Sequence, residues 1–313
     1  MNTLYFEKIS RFDRHAEPVT VSIPFARGRL PDPQHLAVWD GDSRQPVQAR
    51  ALATWGDGSV KWLLVHLQPD LPGNLDKTLH FEVLPLLTPP PAPAVQVRVG
   101  EGPAGIRVDT GPLSFRVPVD GFLPIRDIAL FGQQLWTDMP FDGFAIRCNG
   151  QQASTRSAVV RLEVEEAGPL RAVILVSGAH RKPDGAAYLD FRGRVIAYAG
   201  KPYVQVEYQF IHREEPSELS LEEVVLRFRA RANGSPRLAL GEGIATTRIT
   251  ESQDCLALAL SAERMLYEPM GFIDSYSGDF WADWRDDTAG LALSIHQAQR
   301  NFPKALQVEP GGI

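Results

Sequence analysis

Short runs of alternating apolar and polar residues dominate the chain and predict β-strands. Near the N-terminus, one such run spans Val19 to Ile23, and two more, Val47 to Trp55 and Val60 to Leu67, flank Gly56-Asp57-Gly58. Because Asp-Gly supplies the positive φ angles of a tight turn, the two flanking runs predict a β-hairpin. A further strand at Thr78 to Leu84 completes a domain without a convincing helix.

A proline-rich segment follows, in which four of the five positions from Pro89 to Pro93 are proline. Such a segment is extended and semi-rigid. We therefore predict an all-β protein with a small N-terminal β-barrel domain over residues 1–87, a linker over 88–94 and a large antiparallel β-sandwich domain over 95–313. The predicted strands of the second domain are Ile106–Val108, Leu113–Val117, Val159–Glu165, Arg171–Val176, Tyr188–Tyr198, Tyr203–His212, Glu223–Arg229, Ala257–Leu260 and Leu291–Ile295.

The best-defined hairpin of the second domain turns at Ala199-Gly200-Lys201-Pro202. A tight turn there pairs Arg192 with Gln209, Arg194 with Glu207, and Tyr198 with Tyr203. Alternation along both strands then separates a core face from a face directed to water or a ligand. The predicted core face carries Leu189, Phe191, Val195, Ala197, Val204, Val206, Tyr208 and Phe210. The predicted outer face carries Tyr188, Asp190, Arg192, Arg194, Tyr198, Tyr203, Gln205, Glu207 and Gln209.

Helical signals are few. Ser217–Val225 fits either a helix or a strand, and Ser261–Tyr267 fits one or two helical turns. The pattern of hydrophobic and polar residues therefore predicts few helices.

Composition narrows the class of protein. The 313 residues carry a net charge of −6 with scattered Lys and Arg, which excludes the basic surface of a nucleic-acid binder. No apolar run approaches the ~20 residues that cross a bilayer. The first residues lack the charged and apolar regions of a signal peptide, so we expect a cytoplasmic protein, or an extracytoplasmic one if the N-terminus is incomplete. Cys148 and Cys255 predict buried or half-buried thiols and no metal site.

The common catalytic motifs for phosphate transfer, nucleotide or redox cofactors and zinc hydrolysis are absent from the sequence. What remains are clusters of polar and aromatic residues, which suit sugars because hydroxyls take hydrogen bonds and C–H faces pack on rings. Arg192 and Arg194, beside Tyr198, could bind the carboxylate of an acidic sugar. The alternative is a solvated sheet face whose charges pair across strands, Arg194 with Glu207 for example.

A second cluster runs from Asp274 to Asp287 and mixes acids with aromatic residues, Trp281 and Trp284 among them. It predicts a sugar subsite, a calcium site or a structural loop, since calcium takes carboxylate oxygens. Its spacing matches no calcium-binding loop. Downstream, His296 and Lys304 bring titratable groups close in sequence.

Several segments resemble the N-terminal barrel and central β-sandwich of the exo-acting rhamnogalacturonan lyase family. In the first domain the resemblance rests on Arg11-Phe12, Glu17-Pro18-Val19, Ile23 to Leu30, Pro46 to Arg50 and Gly56 to Leu64. In the second it rests on Gly200 to Val206, Asp283-Trp284-Arg285 and Asn301 to Leu306.

The resemblance implies a carbohydrate-active protein whose partner is a polysaccharide or oligosaccharide. Members of that family continue into a helical toroid after the sandwich, whereas this sequence ends at Ile313 within what resembles a strand just begun, Lys304 to Glu309. We therefore expect a missing C-terminal domain of the same protein as a second partner, and a chain that holds only part of an active site or none of it.

The resemblance also implies a polysaccharide lyase that acts by β-elimination on a uronic acid. Such a reaction needs a cation at the carboxylate and a group that moves the proton. We assign carboxylate binding to Arg285 or to Arg192 and Arg194, and proton transfer to His296, Lys304 or Tyr203. Two alternatives stay open. One is a non-catalytic carbohydrate-binding or scaffold protein, and the other is a glycoside hydrolase that uses two carboxylates among Asp274, Asp279, Asp283 and Asp286.

Overall fold

The computed structural model describes residues 2–136, 141–213, 218–230, 232–243, 246–251, 254–274, 279–300 and 302–313. Within these residues, helical structure is limited to the 3-10 turns Pro33–His35 and Ala298–Arg300, and the other regular elements are β-strands. The predicted all-β class is therefore confirmed. No helix among the described residues has the length and apolar character needed to cross a membrane.

Seven strands form the N-terminal barrel-like domain. They are β1 (Asn2–Phe6), β2 (Val19–Pro24), β3 (Leu36–Asp40), β4 (Ser43–Arg44), β5 (Gln48–Thr54), β6 (Val60–Leu67) and β7 (Lys77–Val83). They pair into two antiparallel sheets, with the orders β1-β7-β3-β4 and β2-β6-β5. Alternation along β6 directs Leu63, Val65 and Leu67 into a core that also holds Leu36 and Leu79.

The predicted hairpin between β5 and β6 is confirmed by their pairing. At its turn, the Asp57 carboxylate accepts hydrogen bonds from the Ser59 hydroxyl (2.6 Å) and the Ser59 backbone N–H (3.0 Å). These bonds lower the pKa of Asp57 to about 2. Gly58 has a φ of +84°, in the left-handed region that glycine adopts without strain.

The proline-rich segment is tied to the barrel by Arg44, whose guanidinium donates to the carbonyl oxygens of Thr88 (2.7 Å) and Pro89 (3.0 Å). Five strands follow, of which β8 to β11 form one antiparallel sheet in the order β11-β10-β9-β8, and β12 extends it beside β11. They are β8 (Arg98–Gly102), β9 (Gly105–Asp109), β10 (Leu113–Pro118), β11 (Arg126–Leu130) and β12 (Gln133–Trp136).

The next strands are β13 (Phe141–Cys148), β14 (Gln151–Ser154), β15 (Val160–Ala167), β16 (Arg171–Arg181), β17 (Ala187–Tyr198), β18 (Val204–Ile211) and β19 (Leu221–Phe228). Strands β15, β16, β17 and β18 are neighbours in that order. The predicted register of the β17–β18 hairpin is confirmed, because Arg192 pairs with Gln209 and Arg194 with Glu207.

One residue of the predicted outer face is misplaced. Tyr188 is buried rather than directed to water. The neighbouring Leu189 has a φ of +51°, which interrupts the alternation of side chains at the start of β17. The regular two-residue period holds only beyond that point.

The last strands are β20 (Arg237–Glu242), β21 (Thr246–Glu251), β22 (Cys255–Ala259), β23 (Met265–Glu268), β24 (Gly271–Ile273), β25 (Phe280–Arg285), β26 (Gly290–Ile295) and β27 (Lys304–Val308). They form two four-stranded antiparallel sheets, β21-β20-β25-β26 and β24-β23-β22-β27.

The predicted helical turns over Ser261–Tyr267 are wrong. Instead, the Ser261 hydroxyl accepts the backbone N–H groups of Glu263 and Arg264 in a tight bend, and β23 begins at the next residue. Of the segment Ser217–Val225, Ser217 lies outside the described residues, and the remainder enters strand β19.

Contacts divide the chain into two units. The first comprises Met1–Gln134, Ser157–His180 and Ala187–Ser217, and the second comprises Leu135–Arg156, Arg181–Ala186 and Glu218–Ile313. The barrel strands and strands β15, β17 and β18 thus belong to the first unit, and so does β16 up to His180. The domain boundary at residues 88–94 stays a prediction.

Each unit has its own aromatic core. In the first, the rings of Phe122 and Phe191 stack with centroids 5.9 Å apart. In the second, Phe228 makes edge contacts with Phe141 (5.6 Å) and Trp284 (6.2 Å). Cys148 and Cys255, both in the second unit, are buried free thiols as predicted.

Candidate functional site

An open groove lies on one face of strands β15 to β18 in the first unit. Its volume is about 530 Å³. The register pairs Arg161 with Ser177 and Glu163 with Leu175, so side chains of β15 and β16 share this face. Strand β17 adds Asp190 and Arg192. The full lining is Val159, Val160, Arg161, Glu163, Leu175, Ser177, Gly178, Asp190, Phe191, Arg192, Ile211 and Arg213.

Most charges around the groove are paired within the face. Arg213 lies 3.2 Å from Asp190, and Arg161 lies 3.8 Å from Glu163. Arg192 is exposed. Among the residues that the structure describes, Arg192 has no hydrogen-bond or ion-pair partner. Its guanidinium therefore presents donors to the groove that an anionic ligand can occupy.

Arg194, the neighbour of Arg192 on the same face, is already occupied. Its Nε and Nη2 donate to the two carboxylate oxygens of Glu165 at 2.6 and 2.9 Å. The hydrogen bond that Arg194 donates to Glu165 raises the pKa of Arg194 above its ordinary value. The predicted cross-strand ion pair with Glu207 is therefore replaced by one with Glu165 on β15, because a two-point fork to a carboxylate is the stronger arrangement.

The groove also has an apolar side. Val159 is 75% exposed at one edge, and Leu175 and Ile211 contribute half-buried apolar surface. A sugar ring offers hydroxyls and C–H faces together, so a wall that combines an arginine with aliphatic side chains matches both kinds of surface.

Tyr198 and Tyr203 form an aromatic pair at the other end of the β17–β18 hairpin, with ring centroids 6.1 Å apart. The Tyr198 hydroxyl donates to Gln205 Oε1 at 3.3 Å. Burial, followed by the charge of Glu17, raises the pKa of Tyr203 to about 12. Tyr203 therefore stays protonated at neutral pH and does not supply an anionic base there.

A buried polar cluster next to this face joins the barrel to the sandwich strands within the first unit. Glu166 lies 2.7 Å from Arg171 Nη1 and 3.3 Å from His66 Nε2, while His66 Nδ1 lies 2.9 Å from the Thr20 hydroxyl. The Glu166 carboxylate also accepts from Arg50. Burial raises the pKa of Glu166, but His66 and Arg171 outweigh it, and the pKa falls to about 2.

Nothing in the local pattern singled out this cluster, because His66 and Glu166 are 100 positions apart in the chain. The only sequence signal is a histidine in the apolar run of β6. Gln48 adds a second link, since its Oε1 accepts the backbone N–H groups of Leu170 and Arg171. The cluster fixes the barrel against strands β15 and β16.

The remaining candidate residues lie in the second unit. The Arg285 guanidinium donates to the Asp283 carboxylate of the same strand. His296 Nδ1 lies 3.0 Å from Asp279 Oδ2, and the Gln297 backbone N–H donates to the other oxygen of Asp279. Arg285 and Asp283 form a charge pair, and both oxygens of the Asp279 carboxylate are occupied by His296 and Gln297.

Strand pairing separates Arg285 from His296. Arg285 pairs with Gly290 and Phe280 with Ile295, so Arg285 stands at one end of the β25–β26 hairpin and His296 follows the other end. His296 follows Ile295 and so lies six residues along the strands from Arg285, about 20 Å at the usual rise per residue. They therefore cannot serve one sugar carboxylate and its neighbouring proton together.

The two tryptophans of the segment from Asp274 to Asp287 differ in burial. Trp284 is fully buried, and its indole N–H donates to the Pro310 carbonyl oxygen at 3.0 Å. This position removes Trp284 from the candidate substrate-binding residues. Trp281 is half-buried, and its N–H donates to the Gly243 carbonyl oxygen. Lys304 begins β27, opposite Ala259.

The segment from Asp274 to Asp287 is in part a strand, β25, and not only a loop, and its residues 275–278 lie outside the described residues. Asp286 accepts the backbone N–H groups of Asn233, Thr288 and Ala289. Burial raises the pKa of Asp286, but these bonds outweigh it and lower the pKa to about 2. Asp286 thus holds a turn and is unsuited to donate a proton. In the described ranges, no three His, Cys, Asp or Glu side chains form a group that could hold a metal ion.

Two domain models of one family match the chain. The PcRGLX-like N-terminal RIFT barrel domain matches residues 8–69, and the PcRGLX-like protein central beta sandwich domain matches residues 97–237. Together they cover about two thirds of the chain, in the order expected from the sequence. Strands β15 to β18 fall within the second match, and we call the groove on them that contains Arg192 the arginine groove.

The chain is similar to the uncharacterized protein YetA of Bacillus subtilis (strain 168), with 25% identity over 193 residues. The match covers 58% of this chain and 22% of YetA, so the chain spans about a fifth of the length of that relative.

Two solved structures from Enterococcus faecalis share the fold. One is a protein in glycosyl hydrolase family 38, with a TM-score of 0.54, 9% identity and coverage of 94% of this chain and 40% of that one. The other is an alpha-mannosidase from strain V583, with a TM-score of 0.55, 9% identity and coverage of 97% and 42%. At this identity the likeness is one of fold alone.

Proposed function

The chain belongs to the PcRGLX-like family, and on that premise we propose that it is a carbohydrate-active protein that binds an acidic polysaccharide through the arginine groove. The ligand we propose is a uronic-acid-containing polymer of the rhamnogalacturonan or pectin type. The reaction that this binding serves is β-elimination by a polysaccharide lyase.

The observation that carries the binding proposal is Arg192. It is an exposed guanidinium in a groove whose other charges are paired with one another. A guanidinium offers a planar fork that matches the two oxygens of a carboxylate. A uronate supplies that carboxylate on a sugar ring, and the ring can rest against the aliphatic side of the groove.

In the proposed elimination, a base takes the proton from the carbon next to the carboxylate. The electrons of that C–H bond form a double bond to the neighbouring carbon, the glycosidic C–O bond breaks, and the leaving oxygen takes up a proton. Arg192 would neutralise the carboxylate and so make the proton more acidic. No role in this step is assigned to Tyr203, which lies at the other end of the β17–β18 hairpin, or to His296, which lies in the second unit.

A second candidate function is saccharide binding without turnover. It is favoured by the second unit, where Arg285 is neutralised by Asp283 and stands at the opposite end of a hairpin from His296. With those two separated, the described residues hold a carboxylate-binding group without a base next to it.

Calorimetric titration with oligogalacturonate tests the binding proposal. We expect the Arg192→Ala variant to lose about tenfold or more in affinity, because a charge-assisted hydrogen bond to the ligand is removed. Arg27→Ala is the matched control, since Arg27 is an exposed arginine on the barrel paired with Asp57. Equal affinities of wild type and Arg192→Ala would contradict the proposal.

The reaction is tested on the same samples. A lyase releases products with an unsaturated uronate that absorbs in the ultraviolet, whereas a hydrolase releases new reducing ends without that absorbance. Binding without either product favours the non-catalytic function, and reducing ends alone favour a glycoside hydrolase.

A further inference from the structure

The face that carries the arginine groove has a second sugar-compatible feature, the tyrosine pair Tyr198 and Tyr203. Tyr203 is 47% exposed. Among the described residues, its hydroxyl has no hydrogen-bond partner. Phenol rings offer a flat apolar surface and a polar tip, which together suit the C–H face and the hydroxyls of a sugar ring.

The register places the two features on one face. Side chains two, four and six positions apart along a strand point to the same side, so Arg192, Arg194 and Tyr198 share the outer face of β17. Arg192 and Tyr198 are therefore about 20 Å apart along the strand. A single sugar ring is far shorter than this, whereas an oligosaccharide can reach both.

An exposed path connects the two features. On β17, Ile196 is buried between Arg194 and Tyr198, so the direct line along that strand is covered. On the neighbouring edge strand β18, Gln205, Glu207 and Gln209 are all exposed. Their amide and carboxylate groups can exchange hydrogen bonds with sugar hydroxyls along the way.

The two ends of this path differ in charge. The groove end offers Arg192 without a partner, and in the middle Arg194 is neutralised by Glu165. At the tyrosine end, the rings and hydroxyls of Tyr198 and Tyr203 are uncharged, and the nearby Glu17 is paired with Arg14 at 3.9 Å. An anionic sugar is therefore favoured at the groove, and an uncharged sugar suits the tyrosines.

We propose that the groove and the tyrosine pair are the two ends of one binding track for a saccharide chain, with an acidic sugar at Arg192 and an uncharged sugar ring on Tyr198 and Tyr203. The track, defined by Arg192, Gln209, Glu207, Gln205, Tyr198 and Tyr203, rests on the proposed function because the same groove holds the acid. Its ligand is an oligomer of several units rather than a monosaccharide.

Chain length is the variable that tests the track. We expect galacturonate monomer to bind weakly through the groove alone. Mixed oligomers that carry one uronate at one end and several neutral sugars beyond it should bind more tightly as neutral units are added. The gain should stop when the chain spans the track. An affinity that does not change with length would overturn the proposal.

Variants of the two tyrosines show which residues cause the gain in affinity with chain length. Tyr198→Ala and Tyr203→Ala should leave monomer binding unchanged and lower the affinity for the long oligomer about three- to tenfold. Tyr203→Phe keeps the ring and should retain most of the length effect. Tyr5→Ala is the control, since Tyr5 is an exposed tyrosine on strand β1. Equal losses for monomer and long oligomer in the tyrosine variants would overturn the proposal.

The failure of the track is distinguishable from the failure of the proposed function. If the long mixed oligomer binds, depends on Arg192 and ignores both tyrosines, the proposed function stands and the track is wrong. If no acidic saccharide of any length binds to the intact chain, the proposed function fails and takes the track with it.

Discussion

Burial alone would favour the neutral, protonated form of the Glu166 side chain, but its neighbours keep the carboxylate ionised. Its side chain is 7% exposed, and Arg171, His66 and Arg50 surround it. The barrel contributes Arg50 and His66 to this cluster, and the sandwich strands contribute Glu166 and Arg171. The cluster links barrel and sandwich only while the Glu166 carboxylate is matched by its cationic partners.

Glu166→Gln should destabilise the protein by about 3 kcal/mol near neutral pH, since it leaves a buried arginine without its counter-charge. The pKa of Glu166 is lowered from 4.5 to about 2, so its contribution is fully present above pH 4.5 and is lost as the pH falls towards 2. Urea unfolding over that pH window should show a flatter dependence for the variant than for wild type.

Glu163→Gln is the matched control for this prediction, because Glu163 lies on the same strand and is about half exposed. We expect its effect on the free energy of unfolding to stay within about 0.5 kcal/mol. Equal stabilities of Glu166→Gln and Glu163→Gln would show that the buried cluster does not hold the barrel in place.

At the scale of elements, the β5–β6 hairpin depends on one glycine. Gly58 has a positive φ, whereas Gly56, two positions earlier, does not, and a Cβ at either position meets open space. Gly58→Ala should therefore cost about 1 kcal/mol through backbone strain alone. Gly56→Ala should change stability little. Thermal unfolding of the two variants measures the difference, and an equal effect at both positions would contradict the turn geometry.

The sequence was most informative where local rules act alone. The β17–β18 register follows from a tight turn at Gly200 and from the regular alternation along β18, and both are visible in the chain. Strand β25 was missed because Trp281 and Trp284 stand on opposite faces, which hides the alternation of Phe280, Ala282 and Trp284 towards the core.

The candidate site was also predictable only in part, and again only where local rules apply. That Arg192 and Arg194 share an outer face is a local property of one strand and was predictable. Which of the two arginines is free was not predictable, because Arg194 contacts Glu165 on β15, a strand that is distant in sequence. Likewise, the separation of Arg285 from His296 depends on the β25–β26 register.

At the scale of the whole molecule, the chain carries a net charge of −6, while the groove presents an unpaired cation. An acidic polymer is therefore attracted by a local feature against a repulsive overall field. Binding should depend on close contact with Arg192 more than on long-range attraction, and the location of the ligand is the point on which the proposed function rests.

The most direct measurement is a crystal structure of the chain with bound oligogalacturonate. We predict electron density for a uronate in the groove, with its carboxylate within hydrogen-bond distance of the Arg192 guanidinium and its ring against Val159, Leu175 or Ile211. Density for the saccharide on a different surface, with Arg192 still free, would contradict the proposal that this groove is the carbohydrate-binding site.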